Sequence, residues 1–174
     1  MADCSWKIFE SQTALARDAA ERFVAIAREA IAARGRFAVA LSGGSTPREL
    51  YARLAAPELS AQIDWTRVHL FWGDERAVPP DHPDSNFKMA YDTLIAHVPI
   101  PAANVNRLRA ELSPEDAALT YSHTLTRFFG NNALPQFDLI LLGLGADGHT
   151  ASLFPHSAGL REVARGVIAH PIEK

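Results

Sequence analysis

Residues 37–50 read FAVALSGGSTPREL and combine an apolar run, a glycine-rich turn and a helix start signal. The run from Phe37 to Leu41 is typical of a buried strand, and the serines and glycines after it interrupt its pattern. Thr46, Pro47 and Glu49 stand where a capping box places the N-cap, N1 and N3 residues of a helix. The stretch therefore predicts a strand, a tight turn and a helix that begins at Thr46.

The flanking sequence repeats this alternation of strands and helices. Apolar residues at helical spacing predict a helix over 11–34, which Gly35 would end. Two later helices are predicted over 86–97 and over 113–129. Strands are predicted over 68–72 and 137–142, with 166–169 as the candidate for a fourth strand.

Strands that are apolar throughout and alternate with helices indicate a parallel sheet covered on both faces. The expected fold class is therefore α/β, a three-layer α/β/α sandwich with a mainly parallel sheet. The length of 174 residues and the apolar fraction of 48% fit a single domain with a substantial core.

Composition narrows the classes of partner. The formal net charge of −3 gives no reason to expect nucleic acid or an anionic membrane. Cys4, the single cysteine, excludes an intrachain disulfide and a multi-cysteine metal site, and it suits a reducing compartment. The N-terminal residues lack the pattern of a secretory signal, and the apolar run near 139–144 is too short to span a bilayer. We expect a soluble, cytoplasmic protein.

Three of the predicted strands end in polar clusters: SGGST at 42–46, GDER at 73–76 and GLGADGHT at 143–150. Open parallel sheets bind ligands beyond the carboxyl ends of their strands. Because all three clusters fall at that edge, we expect them to form one site.

The SGGST turn is suited to binding phosphate. Its glycines allow close approach of the backbone, and a helix N-terminus offers free N–H groups to an anion. The turn lacks the lysine of a P-loop, and Ser45 lacks the closing glycine of a nucleophile elbow. A capped strand-to-helix turn without a ligand is the alternative.

The GDER cluster places three charged side chains directly after a strand. Arg76 could hold a phosphate or carboxylate in a bidentate grip. The alternative is an ion pair between Arg76 and a nearby carboxylate that only closes the loop.

The GLGADGHT loop contains Gly143, Gly145 and Gly148 in the G-x-G-x-x-G spacing of a dinucleotide-binding turn. Pro155 nevertheless interrupts the long helix that such a turn requires, and Ile168 stands where an acidic residue belongs. The loop is better interpreted as a mount for His149, a side chain suited to proton transfer. A metal site is the other use of a histidine, but the histidines lack a metal-binding spacing.

Taken together, LSGGSTPRELY, FWGDERAVPPDHPDSNF and LLGLGADGHTASLFPHS resemble the 6-phosphogluconolactonase family in order, spacing and detail. The resemblance extends from about Val39 to Ser157. It implies hydrolysis of 6-phospho-D-glucono-1,5-lactone to 6-phospho-D-gluconate in the oxidative pentose phosphate pathway, without a metal or other cofactor. It also implies the Rossmann-like sandwich that this family shares with the glucosamine-6-phosphate deaminases.

The resemblance further implies that His149 is the catalytic histidine and that Asp147 orients or tunes it. We hypothesise that His149 draws a proton from water attacking C1, while backbone N–H groups of a glycine-rich loop stabilise the oxyanion. The phosphate would dock on Arg76 and on the amides around 43–46. The residues expected to bind the substrate are Ser42, Gly43, Gly44, Ser45, Thr46, Asp74, Glu75, Arg76, Asn86, Gly145 and Gly148.

Two alternatives stay open. Deaminases share the Gly-Ser-Thr-Pro turn and the Asp-Gly-His, but they tend to have Asp-Glu-Tyr where this chain has Asp-Glu-Arg. They also tend to have Asn-Glu-Pro after the histidine, where this chain reads SLFP. The second alternative is a sugar-phosphate sensor without chemistry, for which His149 and Asp147 would be unnecessary.

The resemblance also bears on the domain organisation. Family members usually continue past this point with a strand-rich segment that completes the sheet and supplies a lysine to the phosphate site. This sequence ends at HPIEK. We therefore expect 1–174 to be a single α/β domain that forms the N-terminal part of a longer one, and to be a monomer or weak homo-oligomer.

Overall fold

The computed structural model describes residues 5–131 and 134–171. Its centre is a parallel sheet of three strands in the order β2–β1–β3. The strands are β1 (Phe37–Leu41), β2 (Val68–Trp72) and β3 (Leu139–Ile140). The α-helices are α1 (Gln12–Arg34), α2 (Ser45–Ala55), α3 (Pro57–Ser60), α4 (Asn86–Thr93) and α5 (Pro114–Phe129). The predicted α/β class and parallel sheet are confirmed.

The two faces of the sheet contact different helices. Alternate residues of β1, among them Val39 and Leu41, pack with α1 and α2 in the larger core. Ala38 and Phe71 face the other way and pack against Tyr121 and Leu125 of α5. Side chains of successive strand residues point to opposite faces, so this division follows directly from the strand period. The sheet therefore has helices on both faces, as the apolar strands predict.

Local signals place several boundaries where the sequence predicts them. Ser11 caps α1 by accepting a hydrogen bond from the Ala14 N–H, and Gly35 ends the helix in the left-handed region at φ 73°. Ser113 caps α5 in the same way, with Pro114 as its first residue. The bounds of β1 and β2 also agree with the predicted strands.

The predicted start of α2 is wrong. The helix begins at Ser45 rather than after Thr46, and Gly44 stands at the N-cap without a side-chain hydrogen bond to the helix. Gly44 has φ 110°, a conformation that residues with a Cβ rarely adopt. Glycine therefore allows the chain to turn into the helix two residues earlier than the capping box would.

The later elements are shorter than predicted. Leu94 leaves helical geometry, so α4 ends at Thr93 and a 3₁₀ turn, Ile95–His97, follows. The third strand shortens to β3, which pairs only with β1. The candidate strand at 166–169 does not form; these residues lie in irregular structure.

In the described part of the chain, no helix combines the length and the apolar character needed to cross a membrane.

Candidate active site

A buried tyrosine fixes the start of the turn after β1. The Tyr51 hydroxyl donates to the Ser42 carbonyl at 2.9 Å and accepts from the Ser42 N–H at 3.1 Å. Tyr51 is fully buried, and this burial raises the pKa of its hydroxyl, which therefore stays neutral. The turn thus starts from a rigid anchor.

The same turn presents several unused backbone donors. Within residues 5–131 and 134–171, the N–H groups of Gly43, Gly44, Ser45 and Thr46 donate to no protein acceptor. The Ser42 hydroxyl, at the start of the turn, is buried and likewise has no partner among the described residues. Free N–H groups at the positive end of a helix attract an anion. The turn therefore has the donors that a phosphate requires, although the predicted side-chain cap is absent.

Glu75 stabilises the start of α4. Its carboxylate accepts hydrogen bonds from the N–H groups of Asn86 at 2.7 Å and Phe87 at 2.8 Å. It also accepts from the Ser85 hydroxyl and from the Arg76 N–H. A carboxylate in this position satisfies the free donors of the helix N-terminus. Glu75 thus acts on the backbone of the site rather than offering its oxygens to a ligand.

Arg76 is exposed, and its guanidinium makes no hydrogen bond or ion pair with any residue that the structure describes. The ion pair that would only close the loop is therefore absent from these residues. Five N–H donors stay available at the carboxyl edge of the sheet, in a planar fork that suits phosphate.

Asn86 connects the second strand end to the first. Its side-chain amide donates to the Asp74 carbonyl at 3.1 Å and lies 3.4 Å from the Asp74 carboxylate. The same amide packs so closely on Gly43 that a Cβ there would overlap it. Asn86 is 4% exposed. This buried amide therefore joins two of the three polar clusters, and Gly43 is required for space.

The glycine-rich loop is shaped by its own hydrogen bonds. The Gly145 N–H donates to the His149 carbonyl at 2.8 Å, and the Gly148 N–H donates to the Gly145 carbonyl at 3.0 Å. Gly148 has φ 87°, a left-handed conformation that glycine tolerates. Because both N–H groups are used within the loop, they are not free to stabilise an oxyanion.

His149 and Asp147 form a close pair on this loop. The His149 Nδ1 atom lies 2.5 Å from Asp147 Oδ1, which also accepts from the His149 N–H at 3.2 Å. The hydrogen bond from His149 lowers the pKa of Asp147, so this carboxylate stays charged near neutral pH. Holding Nδ1 leaves Nε2 to exchange a proton, and Nε2 contacts no hydrogen-bonding group in the described ranges.

The imidazole of His149 is confined by its neighbours. The Phe154 ring stacks on it with centroids 4.3 Å apart and an interplanar angle of 19°. A Cβ on Gly145 would overlap the ring, so glycine is required there for space. Phe154 was not predicted as a site residue. The signal that could have indicated it is an aromatic residue five positions after His149, in the SLFP segment.

These observations permit comparison with known proteins. A family model described as glucosamine-6-phosphate isomerases/6-phosphogluconolactonase matches residues 10–174. The chain belongs to this family. The resemblance inferred from the three motifs is therefore confirmed.

Individual members of the glucosamine-6-phosphate isomerase/6-phosphogluconolactonase family agree with this assignment. A 6-phosphogluconolactonase from Synechocystis is 52% identical over 135 residues, which cover 76% of this chain and 55% of the relative. The structure of 6-phosphogluconolactonase from Trypanosoma cruzi matches with a TM-score of 0.81 and 32% identity, covering 91% of this chain and 65% of that one. A monomeric glucosamine-6-phosphate deaminase, at 19% identity and TM-score 0.69, shares the fold. The chain spans about half the length of the Synechocystis relative.

In this family member, the predicted site residues fall into two groups. The GDER cluster is connected to the SGGST turn by Asn86, which packs on Gly43. It is connected to the segment after the GLGADGHT loop by the Ser152 hydroxyl, which donates to the Asp74 carboxylate at 2.7 Å. Ser152 was not among the predicted residues. Glu75, Gly145 and Gly148 shape the site, whereas the first turn, Arg76 and the histidine pair offer groups to a ligand.

Within the residues that the structure describes, no three His, Cys, Asp or Glu side chains converge in a way that could hold a metal ion. A cavity of about 580 Å³ lies beside the histidine loop, with Asp147, Phe154 and His170 among its lining residues.

Proposed function

We propose that this chain carries the core of a 6-phosphogluconolactonase site, which hydrolyses 6-phospho-D-glucono-1,5-lactone to 6-phospho-D-gluconate in the oxidative pentose phosphate pathway. The observation that carries the proposal is the 2.5 Å contact between Asp147 and Nδ1 of His149. The loop that holds this pair is connected to the phosphate turn by side-chain contacts. Because the match covers only 55% of the Synechocystis relative, the activity is proposed for this chain and not assigned to it.

Proton transfer falls to His149. Its Nε2 accepts a proton from water as the water oxygen bonds to C1 of the lactone, and Asp147 stabilises the resulting imidazolium. The bond between C1 and the ring oxygen then breaks, and His149 returns the proton to that oxygen. The carboxylic acid product ionises in solvent, so the enzyme ends in its starting state.

Phosphate binding falls to the turn after β1 and to Arg76. The N–H groups of residues 43–46 and the Arg76 guanidinium, all without a partner among the described residues, provide donors of the kind that phosphate oxygens accept. Holding the phosphate fixes the far end of the substrate, and the reacting carbonyl is then positioned at His149. No metal or other cofactor takes part in the proposed reaction.

The lactonase reaction is preferred to the two alternatives for distinct reasons. Deamination is disfavoured by Arg76 and by the SLFP segment, which depart from the deaminase pattern. A sensor has no use for an oriented histidine–carboxylate pair. We further propose a cytoplasmic protein that is a monomer or weak homo-oligomer, in keeping with a chain that has one cysteine.

Three measurements on the same preparation discriminate these functions. They are hydrolysis of the lactone above its spontaneous rate, ammonia release from glucosamine 6-phosphate, and calorimetric binding of 6-phosphogluconate. The lactonase proposal expects hydrolysis and product binding without ammonia. Ammonia release would identify a deaminase, and binding without either reaction would identify a sensor.

A further inference from the structure

Among the described residues, a side-chain hydrogen bond joins the histidine loop to the end of β2. The Ser152 hydroxyl donates to Oδ2 of Asp74 at 2.7 Å, across 78 residues of sequence. Both side chains are partly buried, and Ser152 lies three residues after His149. A hydrogen bond to an ionised carboxylate is stronger than one between neutral groups. The contact can therefore hold the histidine loop against the sheet.

The line of contacts continues to the phosphate turn. Asp74 receives the Asn86 amide at its carbonyl and at its second carboxylate oxygen, and Asn86 in turn rests on Gly43. We call the set Ser152, Asp74 and Asn86 the tie. At one end of the tie is the turn with the unused N–H groups, and at the other is the loop that carries His149.

Asp74 is central to the tie because both of its carboxylate oxygens are engaged. Ser152 occupies one oxygen and Asn86 the other, so the carboxylate has a fixed orientation. Asp74 therefore aligns the loops relative to each other. These contacts explain the position of Asp74 without the predicted contact with the substrate.

We propose that the tie sets the distance between the phosphate turn and His149, and thereby selects sugar-phosphate lactones of matching length. Ser152 is in this sense a positioning residue that acts through His149. The inference rests on the proposed function, because it concerns a substrate anchored at one end and attacked at the other. A displacement of about 1 Å between such groups can lower a rate about 100-fold.

The test compares Ser152→Ala with Ser152→Thr, which keeps the hydroxyl. On the phosphorylated lactone, Ser152→Ala should lower kcat by roughly tenfold or more and change KM by less than about twofold. Ser152→Thr should recover most of kcat. On unphosphorylated glucono-1,5-lactone the rate of Ser152→Ala should stay within about twofold of the original chain, because that substrate has no phosphate anchor whose distance matters.

Ser157→Ala is the matched control, since the Ser157 hydroxyl is buried on the same part of the chain and has no partner among the described residues. If Ser152→Ala behaves like Ser157→Ala, or loses equal activity on both lactones, the tie does not set the distance. If the unaltered chain opens neither lactone, the proposed function fails instead.

A second measurement needs no activity. In urea unfolding, the effects of Ser152→Ala and Asp74→Ala should be coupled. Each single variant raises the unfolding constant by some factor, and the factor for the double variant should be at least about threefold smaller than the product of the two single factors. Independent effects would show that the two side chains do not act together, which would overturn the tie.

Discussion

The Tyr51 hydroxyl bonds to both backbone groups of Ser42, 2.9 Å from its carbonyl oxygen and 3.1 Å from its nitrogen. Tyr121 makes the same pair of bonds to Trp72, at 3.0 and 2.8 Å. Each tyrosine hydroxyl therefore satisfies a backbone N–H and a carbonyl that a neighbouring strand would otherwise pair, at the end of the sheet where the site begins. Helices on opposite faces of the sheet supply these two hydroxyls.

Tyr51→Phe should destabilise the protein by about 1–3 kcal/mol, because two buried backbone groups lose their partner. The ring stays, so packing changes little. Chemical denaturation measures the loss, and phosphate binding should weaken in the same variant as the turn loosens. Tyr91→Phe is the control, since Tyr91 is exposed and its hydroxyl has no partner in the described ranges. Equal stability of the two variants would show that the Tyr51 hydroxyl is not needed.

Gly145→Ala should disable the site without unfolding it. A methyl group at this position would overlap the His149 ring, so the ring must leave its place between Gly145 and Phe154. We expect kcat to fall by roughly 100-fold, as for other small displacements of a catalytic group. Gly143→Ala provides the comparison, because a Cβ on Gly143 would meet no described atom within 4 Å. Similar rates in the two variants would contradict the confinement of His149.

Asp147→Asn tests the orientation of the imidazole. An amide cannot stabilise the imidazolium as a carboxylate does, so kcat should fall by roughly 100-fold or more while KM changes little. The control is Asp92→Asn, which removes only a surface ion pair with Lys88. A fall in substrate affinity with kcat preserved would mean that Asp147 binds the substrate instead.

Glu111 gives a prediction for acid stability. Two hydrogen bonds from Arg107 lower the pKa of Glu111 from 4.5 to about 2. The charged form is thus favoured by folding, so its contribution is present above pH 4.5 and is lost as the pH falls towards 2. Because the pair is partly exposed and screened by solvent, we expect Glu111→Gln to cost about 1 kcal/mol at pH 7.

The same substitution should cost much less at pH 2, where Glu111 is protonated in the unfolded state and about half protonated in the folded state. Unfolding midpoints at both pH values check this, with Glu21→Gln as a control for an exposed glutamate outside any ion pair of the described residues. A cost that is the same at pH 2 and pH 7 would contradict the role of the ion pair.

Much of the fold could be predicted because its signals are local. The apolar runs of β1 and β2, the Ser11 and Ser113 caps and the left-handed Gly35 each act over a few residues. The assembly of three polar clusters at one sheet edge followed from the rule that parallel strands share a carboxyl edge. The contact between His149 and Asp147 was predictable because these residues stand two positions apart on one loop.

Long-range contacts were beyond the sequence. Nothing local indicates that Tyr51 bonds to Ser42, that Ser152 bonds to Asp74 or that Asn86 lies on Gly43. The early start of α2 depends on the unusual conformation of Gly44, which overrode a capping box that was correctly spaced. Only two residues of β3 pair with β1, and strand propensity alone does not report how far a pairing extends.

The most direct test is the rate of 6-phosphogluconolactone hydrolysis, with the spontaneous rate subtracted, for the chain and for His149→Ala. We predict acceleration that His149→Ala reduces by roughly 1,000-fold or more, with the affinity for 6-phosphogluconate nearly unchanged. Acceleration that survives in His149→Ala, or an equal loss of rate and product affinity, would contradict the assignment of His149 as the general base.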